Sequence, residues 1–248
     1  MKHTGAMMTA MGIWAFAAVA TGTEAGIRDE FRASNGKTVA FTCIKHGSLR
    51  IEYAGLEIQV DPVGEGLAPA TDYASFPKAD LILVTHEHFD HFDPAAIEAL
   101  RKEGTVLFAN PAVRAKLGWG EALANGGIVL WRDDVSIAAV PAYNTTPGHE
   151  KFHPKGRDNG YVLTLGGLRV YIAGDTEDIP EMADLGKIDV AFLPSNQPYT
   201  MTPEQAARDA RAIAPAVLFP YHFGDTPVER LATLLSDTPI DVRIRPYR

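Results

Sequence analysis

Three histidines and an aspartate stand within six residues of the segment LILVTHEHFDHFD, which covers residues 81–93. Its first four residues are aliphatic and favour a buried strand. The polar side chains His86, His88, Asp90 and His91 therefore follow the carboxyl end of a strand, where α/β sheets place their ligands. In a turn leaving a strand, alternate residues face one centre and the next pair faces a neighbouring one, so the spacing H-x-H-x-D-H can serve two metal ions. Imidazole and carboxylate groups suit zinc, and also iron or manganese.

The same segment has two other interpretations, a solvated loop and a zincin helix. A solvated loop that happens to be rich in histidine is the plainer one, but interior strands rarely run into such clusters. A zincin helix is excluded, because the pattern H-E-x-x-H requires a histidine four residues after His86, where Asp90 stands. The segment therefore predicts a metal site in a loop.

Two further candidates also follow strand-like runs. Asp175 follows Val170–Ala173, and His222 follows Val217–Phe219. A single aspartate or histidine at a strand end is more often a turn residue. Beside a complete H-x-H-x-D-H motif, however, the same position favours a metal ligand.

The elements that must position these residues alternate along the chain. Helices are predicted from about Pro94 to Lys102, with Asp93 as N-cap, and after Thr202, where T-P-E-Q forms a capping box before Ala206–Ala214. Helices are expected to fill the other gaps between strands, which predicts a layered α/β domain. The predicted strands are Val39–Ile44, Ser48–Tyr53, Leu56–Val60, Leu81–Val84, Val106–Ala109, Val135–Val140, Tyr161–Leu165, Leu168–Ala173, Val190–Leu193 and Val217–Phe219.

Composition narrows the class of protein. The chain has 248 residues, 46% of them hydrophobic, and a net charge of −8, which disfavours a nucleic-acid-binding surface. Residues 1–25 resemble a secretory signal peptide, with one lysine followed by sixteen uncharged residues from Gly5 to Ala20. Residues 26–248 are then expected to form one domain in the periplasm or outside the cell, without stable membrane insertion. If Met1 is a mis-called start, the protein is cytoplasmic.

The segment THEHFDH at residues 85–91 resembles the signature of the metallo-β-lactamase superfamily, and in particular its branch of metal-dependent hydrolases. Further segments agree in order, and together they cover roughly residues 38–224: Asp61-Pro62, PAYN at 141–144, HPKG at 153–156, AGDT at 173–176 and PYHFG at 220–224. The resemblance implies an αββα sandwich, two mixed β-sheets flanked by helices, with the site at one edge where the sheets meet.

The resemblance also implies a ligand set. His86, His88 and a later histidine would bind the first metal, Asp90, His91 and His222 the second, and Asp175 would bridge them. His149 and His153 compete for the later position. His149 follows the flexible Pro-Gly turn, whereas His153 stands between Phe152 and the φ-restricting Pro154 and in the H-P-K-G context, so His153 is the predicted ligand.

Several other residues have two interpretations each. Asp61 either orients a ligand histidine or belongs to a plain Asp-Pro turn. His46, before Gly47, is expected to be structural. Lys155 and Arg157 either meet an anionic substrate or lie in a solvated loop, which is the preferred interpretation. The loop at residues 195–201 is expected to line the pocket, although ordinary loop packing explains it as well.

These observations predict a hydrolase with two Zn²⁺ ions, with Mn or Fe as other possibilities. Two cations sharing one water lower its pKa, so that a hydroxide nucleophile is available at neutral pH, and Asp90 is the predicted catalytic residue. The substrate is expected to be a small molecule with an ester, lactone, amide or phosphodiester bond. The alternatives are a di-iron redox enzyme on the same scaffold and a metal-binding protein without turnover.

Overall fold

A computed structural model describes residues 27–247. The predicted signal peptide at residues 1–25 lies outside this range. Within residues 27–247, no helix is long and apolar enough to cross a membrane.

Two seven-stranded sheets follow one another along the chain. The strands of the first sheet are β1 (Arg28–Arg32), β2 (Thr38–Lys45), β3 (Ser48–Tyr53), β4 (Leu56–Val60), β5 (Leu81–Val84), β6 (Val106–Ala109) and β7 (Glu121–Ala122). Those of the second are β8 (Ile128–Arg132), β9 (Val135–Ala142), β10 (Asp158–Leu165), β11 (Leu168–Ile172), β12 (Val190–Pro194), β13 (Val217–Tyr221) and β14 (Asp241–Val242). In each sheet the first four strands pair antiparallel and the later ones parallel, so both sheets are mixed.

The aliphatic run of β5 shows how the layers pack. Leu81 and Leu83 belong to the core shared by the two sheets, whereas Ile82 and Val84 pack with Ile97 on the opposite face. The run is continuous because both of its faces are covered. Across the shared core, Phe41 of β2 contacts Phe192 of β12, with ring centroids 5.5 Å apart.

Four helices flank the sheets: α1 (Pro94–Leu100), α2 (Pro111–Leu117), α3 (Pro203–Ile213) and α4 (Glu229–Leu234). Asp93 caps α1 by accepting bonds from the amides of Ala95 and Ala96. Thr202 and Gln205 form the predicted capping box of α3. With helices outside two mixed sheets, the predicted αββα sandwich is confirmed.

The expectation that helices fill every gap is wrong in two places. Residues 143–157 and 173–189 contain no α-helix, and the second of these segments has only a 3₁₀ turn at Pro180–Asp184. In the first segment Gly148 and Gly156 adopt positive φ angles, and Pro147 and Pro154 interrupt the remainder. Each segment instead carries one residue of the candidate site, His153 in the first and Asp175 in the second. The predicted helix to Lys102 also ends earlier, at Leu100.

Candidate metal centre

The carboxyl ends of four strands bring most of the candidate residues to one edge of the sandwich. His46 follows β2, the segment from His86 to His91 follows β5, Asp175 lies three residues after β11, and His222 follows β13. His153 comes from the loop between β9 and β10. Strand ends are rigid supports, so the side chains converge without depending on a flexible segment.

His86, His88 and His153 form a first group, in which one ring nitrogen of each residue lies within 4.8 Å of the others. Nε2 of His86 and Nδ1 of His88 are only 3.1 Å apart. Two ligand nitrogens on a tetrahedral zinc ion lie about 3.3 Å apart, given Zn–N bonds of about 2.0–2.1 Å. The spacing of this pair therefore fits two ligands on one ion.

A second group contains His46, Asp90, His91 and His222, whose ligand atoms also lie within 4.8 Å of one another. Nε2 of His46 is 3.2 Å from Oδ2 of Asp90, and Nε2 of His222 is 3.6 Å from the same oxygen. The rings of His46 and His222 pack with centroids 3.7 Å apart. His46 was expected to be structural, and the structure places it inside the cluster.

Asp175 lies between the two groups. Its Oδ2 is 3.4 Å from Nε2 of His153 in the first group and 3.3 Å from Nε2 of His222 in the second. Its Oδ1 is 3.2 Å from Nε2 of His91, and Nε2 of His86 lies 3.9 Å from Oδ2. One carboxylate thus faces histidines from both groups, as a bridging ligand must.

Three of the histidines are oriented by hydrogen bonds on the ring side away from Asp175. Nδ1 of His91 donates to Asp61 at 2.7 Å, and Nδ1 of His153 donates to Asp158 at 3.0 Å. The Thr85 hydroxyl donates to Asp61 and lies 3.0 Å from Nδ1 of His86. Such partners fix the ring and its tautomer, leaving each Nε2 lone pair directed at the centre. Asp61 therefore does more than form a turn.

The burial of the cluster provides a test of fit to metal ions. Within residues 27–247, four buried atoms form no hydrogen bond: Nε2 of His91, Oδ1 of Asp175, and Nδ1 and Nε2 of His222. The first two lie 3.2 Å apart but do not form a hydrogen bond with each other. Buried polar atoms are almost always paired, because leaving one unsatisfied costs about 1–3 kcal/mol. Three of these atoms face the centre of the cluster, and a cation there would satisfy them. The donor set of imidazole and carboxylate fits zinc, iron or manganese.

The electrostatics of His86 and Asp175 agree with this fit, whereas, in spite of the burial of His91, the carboxylates of Asp175 and Asp61 raise the pKa of that ring above its usual value. Burial, together with the neighbouring imidazoles, lowers the pKa of His86 well below its usual value, which favours the neutral ring that binds metals. Burial alone would raise the pKa of Asp175, yet the imidazoles of His222 and His91 hold that pKa well below its usual range. Asp175 is therefore ionised although it is buried.

His149, the competing histidine, does not lie in the cluster. Its Nδ1 is 3.0 Å from Oε1 of Glu177, a buried carboxylate that also accepts bonds from the amides of Thr145 and Thr146. His153 is the histidine that the structure brings to the centre, and its role as a ligand remains a prediction.

The two basic residues of the same loop are both engaged. Lys155 is exposed and pairs with Glu181. Arg157 is only partly exposed, and it forms two bonds to Asp158, the residue that orients His153. The solvated-loop interpretation thus describes Lys155. It is incomplete for Arg157, because this side chain holds the carboxylate of Asp158, which in turn orients His153.

Gly47 makes room for a ligand ring. A Cβ atom at this position would lie 2.6 Å from Cε1 of His91, closer than real Cβ contacts allow. The dipeptide His46-Gly47 therefore serves the cluster twice, by supplying an imidazole and by leaving space for another. A short apolar strand followed by K-H-G gives no such signal, because the partners of His46 come from distant parts of the chain.

A cavity of about 440 Å³ opens over the cluster. His88, Asp90, His153 and Asp175 form its floor, and Asn196 and Tyr199 of the 195–201 loop form part of its wall. The expectation that this loop lines the pocket is confirmed for those two residues. The remaining wall consists of Glu87, Phe89 and Phe152.

Comparisons with known proteins agree with this architecture. Residues 40–222 match the family model described as "Beta-lactamase superfamily domain". A relative from Ligilactobacillus salivarius, named UPF0173 metal-dependent hydrolase, is 32% identical over 187 residues, which cover 73% of this chain and 84% of the relative.

Two solved structures are similar over most of their length. A protein from Parabacteroides distasonis that is named as a metal-dependent hydrolase is 56% identical and superposes with a TM-score of 0.86, covering 89% of this chain and 99% of that one. Igni18, a metallo hydrolase from Ignicoccus hospitalis, is 28% identical with a TM-score of 0.70, covering 85% of this chain and 96% of that one.

Proposed function

The chain belongs to the metallo-β-lactamase superfamily, and from this membership we propose that it is a metal-dependent hydrolase that acts through two metal ions held at the edge of the sandwich. The observation that carries the proposal is the position of Asp175, which faces histidines of both groups within 3.4 Å. Zinc is the metal we propose for these imidazole and carboxylate ligands.

The proposed ligands divide between the two groups. His86, His88 and His153 would hold the first ion, Asp90, His91 and His222 would hold the second, and Asp175 would serve both. When bound, two such ions lower the pKa of a water molecule and polarise a carbonyl or phosphoryl oxygen. Asp61 and Asp158 keep the rings of His91 and His153 turned towards the centre.

Asp90 is the residue we propose to act on the attacking water. Its carboxylate lines the cavity, and His46 and His222 approach one of its oxygens. Burial would raise its pKa, but these two histidines hold that pKa well below its usual range, so Asp90 stays ionised. An ionised carboxylate accepts a hydrogen bond from water and directs the water oxygen at the substrate.

For an ester or lactone, the overall step is simple addition of water. The water oxygen bonds to the carbonyl carbon, the carbon–oxygen single bond breaks, and the departing oxygen takes the proton that the water releases. The products are a carboxylic acid and an alcohol. No covalent bond to the protein is required.

Metal analysis combined with a substrate screen tests the proposal. Elemental analysis of the purified, zinc-reconstituted protein should give close to two ions per chain, and the loaded protein should cleave at least one of a set of ester, lactone, amide and phosphodiester compounds. We expect Asp90→Ala to reduce turnover at least 100-fold while the first ion remains bound. One ion per chain with full activity, or iron with a redox activity and no hydrolysis, would overturn the proposal.

A further inference from the structure

A second cavity lies beside the one over the metal centre. Its volume is about 600 Å³, and it lies between the first turns of α1 and the loop that follows β4. Phe89 lines both cavities, so the two spaces adjoin at this side chain. Phe89 belongs to the same short loop as His88 and Asp90.

The lining of the second cavity is mostly apolar. Phe89, Phe92 and the alanines of α1 form one side. Of the three carboxylates in the lining, Asp93 accepts bonds from the amides of Gly64, Ala95 and Ala96, Asp72 accepts one from Ala74, and Glu65 is exposed. Neither Lys nor Arg occurs among the described residues that line this second cavity. An anionic group in it would therefore meet no opposite charge.

The other wall is formed before any ligand binds. The loop after β4 is fastened by Lys45, whose buried ammonium group donates to the carbonyl oxygens of Gly64, Leu67 and Pro69 at 2.7, 2.5 and 2.8 Å. These three bonds satisfy the charge and fix the loop in one shape. A cavity with fixed walls binds a ligand without the entropic cost of ordering a loop.

Phe89 itself is 70% exposed, although it is a large apolar side chain next to the proposed reaction centre. Tyr199 and Phe152, whose rings meet edge to face at 5.0 Å, form an aromatic wall of the first cavity. A ligand that extends from the metal centre across Phe89 into the second cavity would remove this ring from water. The gain is proportional to the apolar area that is covered.

We propose that the cavity beside α1 is a subsite for an uncharged acyl chain, and that the substrate is a carboxylic ester or lactone whose carbonyl group lies over Asp175. This inference rests on the proposed hydrolytic function. Because neither Lys nor Arg is among the described residues that line the cavity beside α1, an uncharged chain fits this subsite better than an anionic group does.

A series of p-nitrophenyl esters from acetate to octanoate tests the subsite on zinc-loaded protein. Each added methylene should raise kcat/KM by roughly threefold until the cavity is filled. Ala95→Trp, which fills the cavity from an exposed position on α1, and Phe89→Ala should each lower the octanoate-to-acetate ratio by about tenfold or more. Leu130→Ala is the matched control, because Leu130 is also 70% exposed but lies on β8, away from both cavities, and the ratio should not change.

A binding measurement separates failure of the subsite from failure of the hydrolase proposal. Metal-free protein titrated with 2-decanone should bind it more tightly than 2-butanone, and Ala95→Trp should remove the difference. If both ketones bind equally, or if ester cleavage is independent of chain length, the subsite is wrong. If 2-decanone binds preferentially but no ester, lactone, amide or phosphodiester is cleaved, the cavity holds an apolar chain and the hydrolase proposal fails. Faster cleavage of bis-p-nitrophenyl phosphate than of any ester would overturn the assigned substrate class.

Discussion

Asp175 and Asp209 are both buried carboxylates, but their surroundings differ. Asp175 at the edge of the sandwich faces four imidazoles, and its pKa is held well below the usual range. Asp209 on α3 is 5% exposed, and its Oδ2 has no partner among the described residues. Its burial, together with repulsion from Asp178, raises its pKa to about 8.

The difference shows that burial alone does not identify a functional carboxylate. A buried charge persists where opposite charges or hydrogen-bond donors surround it, and a group without them takes up a proton instead. Asp175 is arranged to remain negative in a position where cations are needed. Asp209, in contrast, lies on α3 outside the cluster, and its raised pKa favours the neutral form.

The largest effect that tests this comparison is expected from Asp175→Asn. The amide keeps the size of the side chain but removes the negative charge between the two groups. We expect loss of at least one metal ion and a decrease in kcat/KM of about 1,000-fold, measured on zinc-loaded protein. Wild-type metal content and activity in this variant would show that Asp175 is not the shared ligand.

The next effect separates the two histidines of the β9–β10 loop. His153→Ala removes a ring that lies 3.4 Å from Asp175, so we expect the first ion and nearly all activity to be lost. His149→Ala is the matched control, because its ring bonds to Glu177 outside the cluster. That variant should keep both ions and change activity less than about threefold. Collapse of metal binding in His149→Ala, with survival in His153→Ala, would reverse the assignment.

Local patterns in the sequence predict the part of the site that lies in one segment. H-x-H-x-D-H after an aliphatic run places four side chains at the end of β5, and the runs before Asp175 and His222 place both at neighbouring strand ends. The choice of His153 over His149 follows from the conformational restriction of its neighbours. In each case the determining interactions are close in sequence.

The parts that could not be predicted depend on contacts between distant segments. His46 follows β2 in the first sheet, and its partners Asp90 and His222 lie 44 and 176 positions later in the chain. β1 was missed because four of its five residues, RDEFR, are charged. β8 was missed although four of its five residues, IVLWR, are apolar; it lies at the edge of the second sheet, where Ile128 and Leu130 are exposed.

A smaller effect should come from His46, which contacts Asp90 and packs against the ring of His222. His46 adopts a positive φ of 46°, so His46→Asn is the suitable variant, because asparagine tolerates this backbone conformation. We expect kcat to fall about tenfold to 100-fold while the ion bound by His86, His88 and His153 remains. An unchanged kcat would show that His46 does not contribute to turnover and is purely structural. Loss of folding, detected by circular dichroism, would instead place its contribution in the β2–β3 turn.

The smallest effect should come from Asp209 and should appear in stability rather than in activity. Because its pKa rises to about 8 on folding, the folded chain holds a proton that the unfolded chain releases near pH 4. Stability therefore falls as the pH rises from about 4 to 8. Asp209→Asn removes this dependence, so its advantage should be absent at pH 4 and should grow by up to about 1.4 kcal/mol for each pH unit towards pH 8. Thermal unfolding of both metal-free proteins across this pH range measures the difference, and a constant or declining advantage would show that Asp209 is ionised in the fold after all.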